Sequence, residues 1–253
     1  MPVVKDTTLY REPDRHTYMD ASNVDFHHAA ILDKILEVVG LRPGDHVVEI
    51  GAGSGRYSEL LLAKGFRVTA VEPDPVLYEK SLSRLGQRPA LRTICAGVGE
   101  LPSDLGEIHG LCGFHVLHHL DIDALQKLKD DINQLSASNA NFRGWFFLEP
   151  NPFNVLYPLQ ISVQPGMNWR EERGIWNLER YRRLPWTFRH ACGFLPPQIC
   201  RILPTKMLQA ISTSIWRRRL PWMLYEILGG RSENGVTSND PNDRVAYSKH
   251  TGS

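Results

Sequence analysis

A β-strand that runs straight into a glycine-rich turn constrains this chain more than any other feature. The segment reads Val47-Val48-Glu49-Ile50-Gly51-Ala52-Gly53-Ser54-Gly55-Arg56, and a second strand ends in acid at Val68-Thr69-Ala70-Val71-Glu72-Pro73-Asp74. Glycines let a ligand lie against bare backbone at the start of a helix. An acid at the tip of the following strand accepts hydrogen bonds from two ribose hydroxyls. Gly51 and Glu72 stand 21 residues apart, the distance one strand–helix–strand unit needs. The two segments together predict a nucleoside pocket. The glycine spacing is G-x-G-x-G, and the dinucleotide pattern G-x-G-x-x-G fails at Arg56. A further acid, Glu49, precedes the turn.

The remaining pattern repeats that unit. Val24, Ile31, Leu32, Ile35, Val38 and Val39 predict an amphipathic helix over residues 23–39, stopped by Gly40. Residues 56–64 read as a helix ended by Gly65. Asp74-Pro75 reads as a helix start, with Asp as cap and Pro in the first turn. Strands are expected over 91–96, 108–114 and 145–148, with a helix capped by Asp121 before the last of them. Strands alternating with helices imply a parallel sheet whose ligands bind at the strands' carboxyl ends. Beyond Asn151 the rhythm blurs. Residues 169–190 read as mainly helical, Cys192-Gly193-Phe194 as a turn into another strand, and 203–228 as apolar and helix-like. The tail from Gly229 has a disorder-prone composition, with Val245-Ala246-Tyr247 as one candidate for a last strand.

The two opening segments resemble the class I S-adenosylmethionine-dependent methyltransferases. In that superfamily an acid, one residue and G-x-G-x-G precede a second strand ending in acid. The resemblance extends to Gly97-Val98-Gly99-Glu100 and to Phe114-His115-Val116-Leu117-His118-His119. It implies a doubly wound, mostly parallel seven-stranded α/β sheet with an N-terminal helical arm and a C-terminal helical cap. The expected division is residues 1–40 as arm and helix, 41–150 as cofactor-binding core, 151–230 as the rest of the sheet and an acceptor-side cap, and 231–253 as tail. The implied cofactor is S-adenosyl-L-methionine, with S-adenosyl-L-homocysteine as product. Gly51, Ala52, Gly53 and Gly55 would form its cradle, Glu49 would serve its amino-acid end, and Glu72 with Pro73 the ribose. Backbone at Phe114 and His115 would hold the methionine portion. Many members carry an acid near Gly97 for the adenine; here Val98 is the remaining candidate, through its amide and its apolar side chain.

Methyl transfer is an in-line displacement that depends mostly on placement. A base helps when the acceptor is a hydroxyl or a protonated amine, and His118 and His115 are the candidates. The spacing H-x-x-H-H comes without a carboxylate cluster, so no metal is expected. His119 reads as a cap of the following helix, and His27 and His28 as surface groups. Glu149 and Asn151, after the fifth strand, and Tyr18 on the arm, together with Tyr10, are candidates for holding the acceptor.

The net charge of +1 conceals an asymmetry. Residues 169–231 hold twelve Lys/Arg against four Asp/Glu, a balance of +8, and five of the six tryptophans. A packed cap with solvated arginines, a lid over an anionic or aromatic small molecule and a peripheral membrane contact all fit this stretch. Nucleic acid ranks last, because the arginine runs lack aromatic interleaving. No apolar run is long enough to span a bilayer, residues 1–6 carry no secretory h-region, and four cysteines show no C-x-x-C pair. A cytoplasmic protein is expected. A small organic acceptor is the favoured substrate. A nicotinamide-dependent oxidoreductase and a non-catalytic cofactor-binding or membrane-peripheral protein remain alternatives.

Overall fold

The computed structural model describes residues 22–155, 157–163, 169–192, 203–207, 210 and 225–231. A first helix, α1 (Ser22–Val39), leads into β1 (His46–Ile50), α2 (Arg56–Ala63), β2 (Arg67–Val71), α3 (Pro75–Leu85), β3 (Leu91–Ile94) and β4 (Gly110–Phe114). A short 3-10 turn (Leu117–His119) precedes α4 (Ile122–Ser138) and β5 (Gly144–Pro150). Short helices α5 (Tyr157–Val163), α6 (Trp169–Glu172) and α7 (Glu179–Arg183) follow, with a second 3-10 turn at Arg173–Trp176. The strands β6 (Phe188–Cys192) and β7 (Tyr225–Arg231) complete one seven-stranded sheet of order β3-β2-β1-β4-β5-β7-β6.

The first five strands pair in parallel, and β7 runs antiparallel between β5 and β6. β1, β2, β4 and β5 bury nearly every residue, as strands covered on both faces must, whereas the edge strand β3 is only partly covered. On one face Ile31, Leu32, Ile35 and Val39 of α1 and Leu61 of α2 meet Val47, Val68 and Phe146. On the other, Leu125, Leu128 and Ile132 of α4 meet Val48, Leu111 and Phe147. Each such side chain contributes about 1.5–3 kcal/mol by leaving water. The order reverses between β1 and β4, so their carboxyl ends open the crevice where α/β sheets take ligands.

Local chemistry sets the helix starts. The Asp74 carboxylate accepts from the amides of Val76 (2.8 Å) and Leu77 (3.3 Å), with Pro75 in the first turn. Asp121 accepts from Ala124 (2.8 Å), so the cap of α4 is Asp121 and not His119. Such caps are worth about 1 kcal/mol each.

The C-terminal third departs from expectation. Residues 169–190 form broken helical pieces, and Phe188–Cys192 is already a strand. The end of the apolar run 203–228 belongs to β7, which continues through Gly229 and Gly230 into the expected tail. β7 is buried on both faces, so its apolar residues carry no period that separates strand from helix. Gly229 is required by packing, since a Cβ there would stand 2.2 Å from the Phe188 ring. Val245-Ala246-Tyr247 and Cys200 lie outside the described residues.

Candidate functional site

The glycine turn is tied to the neighbouring strand before it reaches α2. The amides of Gly51 and Ala52 both donate to the carbonyl of Val71, at 2.8 and 3.0 Å. Gly51 has φ 67°, and a Cβ there would stand 2.6 Å from Cγ2 of Val116 in the loop after β4. That glycine lets the two loops touch. Gly53 has φ 57° but no heavy atom within 4 Å of an added Cβ. Its open face is where a ligand can lie on the backbone. Gly53→Ala is therefore expected to cost only about 1–2 kcal/mol of stability through its left-handed φ, yet to weaken S-adenosylhomocysteine binding tenfold or more. Paired melting and calorimetric titration check this; a variant that binds like wild type would remove the ligand from that face.

Glu72 is shaped for a diol. One carboxylate oxygen accepts from the Gly53 amide at 2.8 Å and the other from the Asp74 amide at 2.9 Å. A carboxylate oxygen has two acceptor sites, so each can still take a ribose hydroxyl. Burial pushes the Glu72 carboxyl up, and the two amides oppose that shift. Pro73 fixes the backbone between these two acids. Glu49 lies deeper, 1% exposed on β1, and accepts from the Ser58 hydroxyl of α2. Burial raises its pKa to about 8; the Ser58 bond opposes this and the charge of Glu72 adds to it. A cation bound nearby would reverse the balance, and the cofactor's amino group is one. Ser58 was not legible as a partner, because the contact joins separate elements.

In the loop after β3, Gly97 donates to Glu100 (2.8 Å) and Gly99 to Asp131 of α4 (2.7 Å). Both flanking amides are thus spent within the protein. Val98 between them is half-buried against the α4-side core. Asp131 is a second supporting residue that the sequence did not reveal, since 32 residues separate it from Gly99.

At the end of β4, Phe114 stacks on Tyr57 of α2, with ring centroids 3.9 Å apart. His115 takes φ 56°, a left-handed conformation rare outside glycine, and its ring meets Tyr225 edge-on at 5.3 Å. Its Nε2 is buried with no hydrogen-bond partner among the described residues. Burial holds its pKa down to about 4, so the imidazole is neutral and a weak base. His118 is 3% exposed, and its Nδ1 lies 2.7 Å from Glu149. Glu149 is itself fully buried, with its carboxylate turned onto the loop after β4. Asn151 is 1% exposed, and its Oδ1 accepts from the Phe153 amide (3.1 Å) in a local turn. Tyr10 and Tyr18 lie outside the described residues, and the side chains of His27 and His28 are not described.

Among the described residues, four arginines of the basic stretch have internal carboxylate partners. Arg180 and Arg189 both bond Glu226, while Arg182 and Arg183 bond Glu179. Among the described residues, no helix is long and apolar enough to cross a membrane.

Comparison with known proteins agrees with this geometry. Residues 47–138 match a family described as a methyltransferase domain. A ribosomal RNA small subunit methyltransferase A from Chlamydia trachomatis serovar L2 is 53% identical over 55 residues, covering 22% of this chain and 20% of the relative. The C-methyltransferase NovU of Streptomyces niveus is 32% identical over 107 residues, 40% of this chain and 24% of NovU. The chain thus spans about one fifth to one quarter of these curated relatives. Among solved structures, the plantazolicin methyltransferase BpumL in complex with S-adenosylhomocysteine shares the fold, with a TM-score of 0.54 at 12% identity, covering 89% of this chain and 93% of that one.

Proposed function

We propose that this chain, whose residues 47–138 match a methyltransferase-domain family, is a class I S-adenosylmethionine-dependent methyltransferase that transfers the cofactor's methyl group to an oxygen, nitrogen or carbon of a small organic acceptor, releasing S-adenosylhomocysteine. The observation that carries this reading is the cradle of open-faced Gly53 under the doubly supported Glu72 carboxylate. Bound S-adenosylmethionine supplies a methyl on a sulfonium, with a neutral thioether as leaving group. The protein's task is placement, which can be worth about 7–11 kcal/mol of barrier. Glu72 would orient the ribose, the loop from Val98 would cover the base, and residues 114–116 would hold the amino-acid end.

Two features support a small acceptor. The carboxyl ends of β4 and β5 are walled by Tyr57, Phe114, His115 and Tyr225, an aromatic setting suited to a compact, partly apolar molecule. Arg180 and Arg189 pair with Glu226, and Arg182 and Arg183 with Glu179, so these four arginines are committed in part to internal ion pairs rather than to a phosphate backbone. Neutral His115 and enclosed His118 favour an acceptor whose reacting atom needs little help from a base.

Calorimetric titration of S-adenosylhomocysteine, with NADH as control, tests the cofactor. Wild type should bind S-adenosylhomocysteine and not NADH, and Glu72→Ala should bind at least tenfold more weakly. That corresponds to about 1.5–3 kcal/mol for hydrogen bonds to a charged group. A preference for NADH would restore the oxidoreductase reading. Radiolabelled methyl transfer to a panel of phenols, amines and enols, beside ribosomal RNA and protein, tests the acceptor. Transfer confined to RNA or protein would overturn the small-acceptor reading.

A further inference from the structure

The end of β5 carries the loop that follows β4. One oxygen of Glu149 accepts from the amides of Val116 (2.8 Å) and Leu117 (2.9 Å). The other accepts from the His118 amide (3.3 Å) and pairs with His118 Nδ1 (2.7 Å). Three successive amides converge on one carboxylate, an anion-binding turn filled by the protein's own acid. The His115 amide adds a bond to the Leu148 carbonyl at 2.8 Å. Residues 115–118 therefore hang from residues 148 and 149. The same loop meets the cofactor cradle, where Val116 lies against Gly51 and His115 is held left-handed.

Glu149 stands directly opposite Glu226 in the β5–β7 register, and both are fully buried. Opposed residues of an antiparallel pair share a face. The two acids nevertheless divide their partners. Glu226 accepts from Arg180 at 2.9 Å, Arg189 at 2.7 Å and the Tyr181 hydroxyl. Its bonds stay within β6, β7 and α7, and Arg180 also reaches the Pro150 carbonyl at 3.3 Å. Glu149 spends its hydrogen bonds on the loop.

We propose that Glu149 is a positioning residue for the cofactor: its carboxylate presents residues 115–118 to the glycine cradle and so sets affinity for the amino-acid end of S-adenosylmethionine. The proposal rests on the methyltransferase reading above. Its cross-strand twin Glu226 serves the strand pairing.

The test compares Glu149→Gln, Glu226→Gln and Val116→Ala. Each is measured by S-adenosylhomocysteine titration, by thermal melting and, without ligand, by hydrogen exchange at the Val116 and Leu117 amides. Gln at 149 leaves a neutral, weaker acceptor for the Val116 and Leu117 amides and turns an N–H toward the His118 amide, which pushes the loop off its anchor. Glu149→Gln should speed exchange at both amides and weaken binding about five- to twentyfold. Glu226→Gln should lower the melting temperature with affinity within twofold of wild type. Val116→Ala, which leaves the buried charges alone, should weaken binding several-fold and keeps the question open to a result if Glu149→Gln fails to fold. Unchanged affinity in Glu149→Gln or in Val116→Ala, or equal affinity losses in the two glutamate variants, would overturn the proposal. Wild-type protein that ignores S-adenosylhomocysteine would instead overturn the cofactor reading, while unaltered exchange in Glu149→Gln would sink the anchoring by itself.

Discussion

Glu49→Gln is expected to stabilise the ligand-free protein at alkaline pH while weakening its hold on the cofactor. Glu49 has its carboxyl raised from 4.5 to about 8, chiefly by burial. A group raised in the folded state contributes stability that is complete below its unfolded pKa and is lost as pH climbs through the folded one. The wild type should therefore lose stability between about pH 4.5 and 8 on this account. At roughly 1.4 kcal/mol per pKa unit, the loss is of order 3–5 kcal/mol. Gln keeps the shape and can still accept from Ser58, but it has nothing to ionise. Urea unfolding at pH 6 and pH 8.5 should show the variant overtaking the wild type at the higher pH. His115, held down to about 4, works in the opposite direction on the acid side, where stability is lost as pH falls from about 6.5. The difference between wild type and variant cancels that contribution. Cofactor binding supplies the second half of the result. An ammonium near Glu49 favours its ionised form, so wild-type affinity for S-adenosylhomocysteine should rise about tenfold from pH 6 to pH 8, with proton release. The variant should bind more weakly at pH 8 and lack that slope. Identical slopes in the two proteins would remove Glu49 from the cofactor's surroundings.

Arg180→Leu is expected to cost about 3–5 kcal/mol and to leave most molecules unfolded in moderate urea. Arg180 is 1% exposed, bonds Glu226 at 2.9 Å and feels the charge of Glu149. Without it, two buried acids face each other across β5 and β7, and Arg189 is the arginine that still bonds Glu226 among the described residues. Burying like charges opposite one another is unfavourable, and removing one partner of a buried pair leaves the other uncompensated. Arg180→Met combined with Glu226→Met should recover much of the loss, because both charges leave together. A single variant as stable as wild type would mean that this ion cluster contributes nothing to the sheet's antiparallel edge.

Much of the fold was legible because its signals are local. Asp74-Pro75, Asp121 and Gly40 punctuate helices by their own backbone chemistry, and the first five strands fall where the apolar runs predicted them. The C-terminal third was misread for the opposite reason. Tyr225–Arg231 lies between two strands, buried on both faces, and its apolar run has no period to distinguish it from a helix. The Gly229-Gly230 step, which looks like the beginning of a loose tail, is demanded by the Phe188 ring and by Trp145.

The candidate site divides along the same line. Glu49, the glycines and Glu72 could be named from the sequence because one strand–turn–helix–strand unit brings them together within 24 residues, Glu49 to Glu72. Their chemistry is written in residue type and spacing. The roles of Ser58, Asp131, Arg180 and Glu226, and the turning of Glu149 onto the loop after β4, could not be read that way. Most of these contacts join residues about 30 to 46 positions apart, and they exist only once strands are set side by side in a particular order. Local spacing determined which groups gather around the glycine turn. Strand order and register decided which buried charges face one another, and therefore which acid is free to hold a loop and which must hold the sheet.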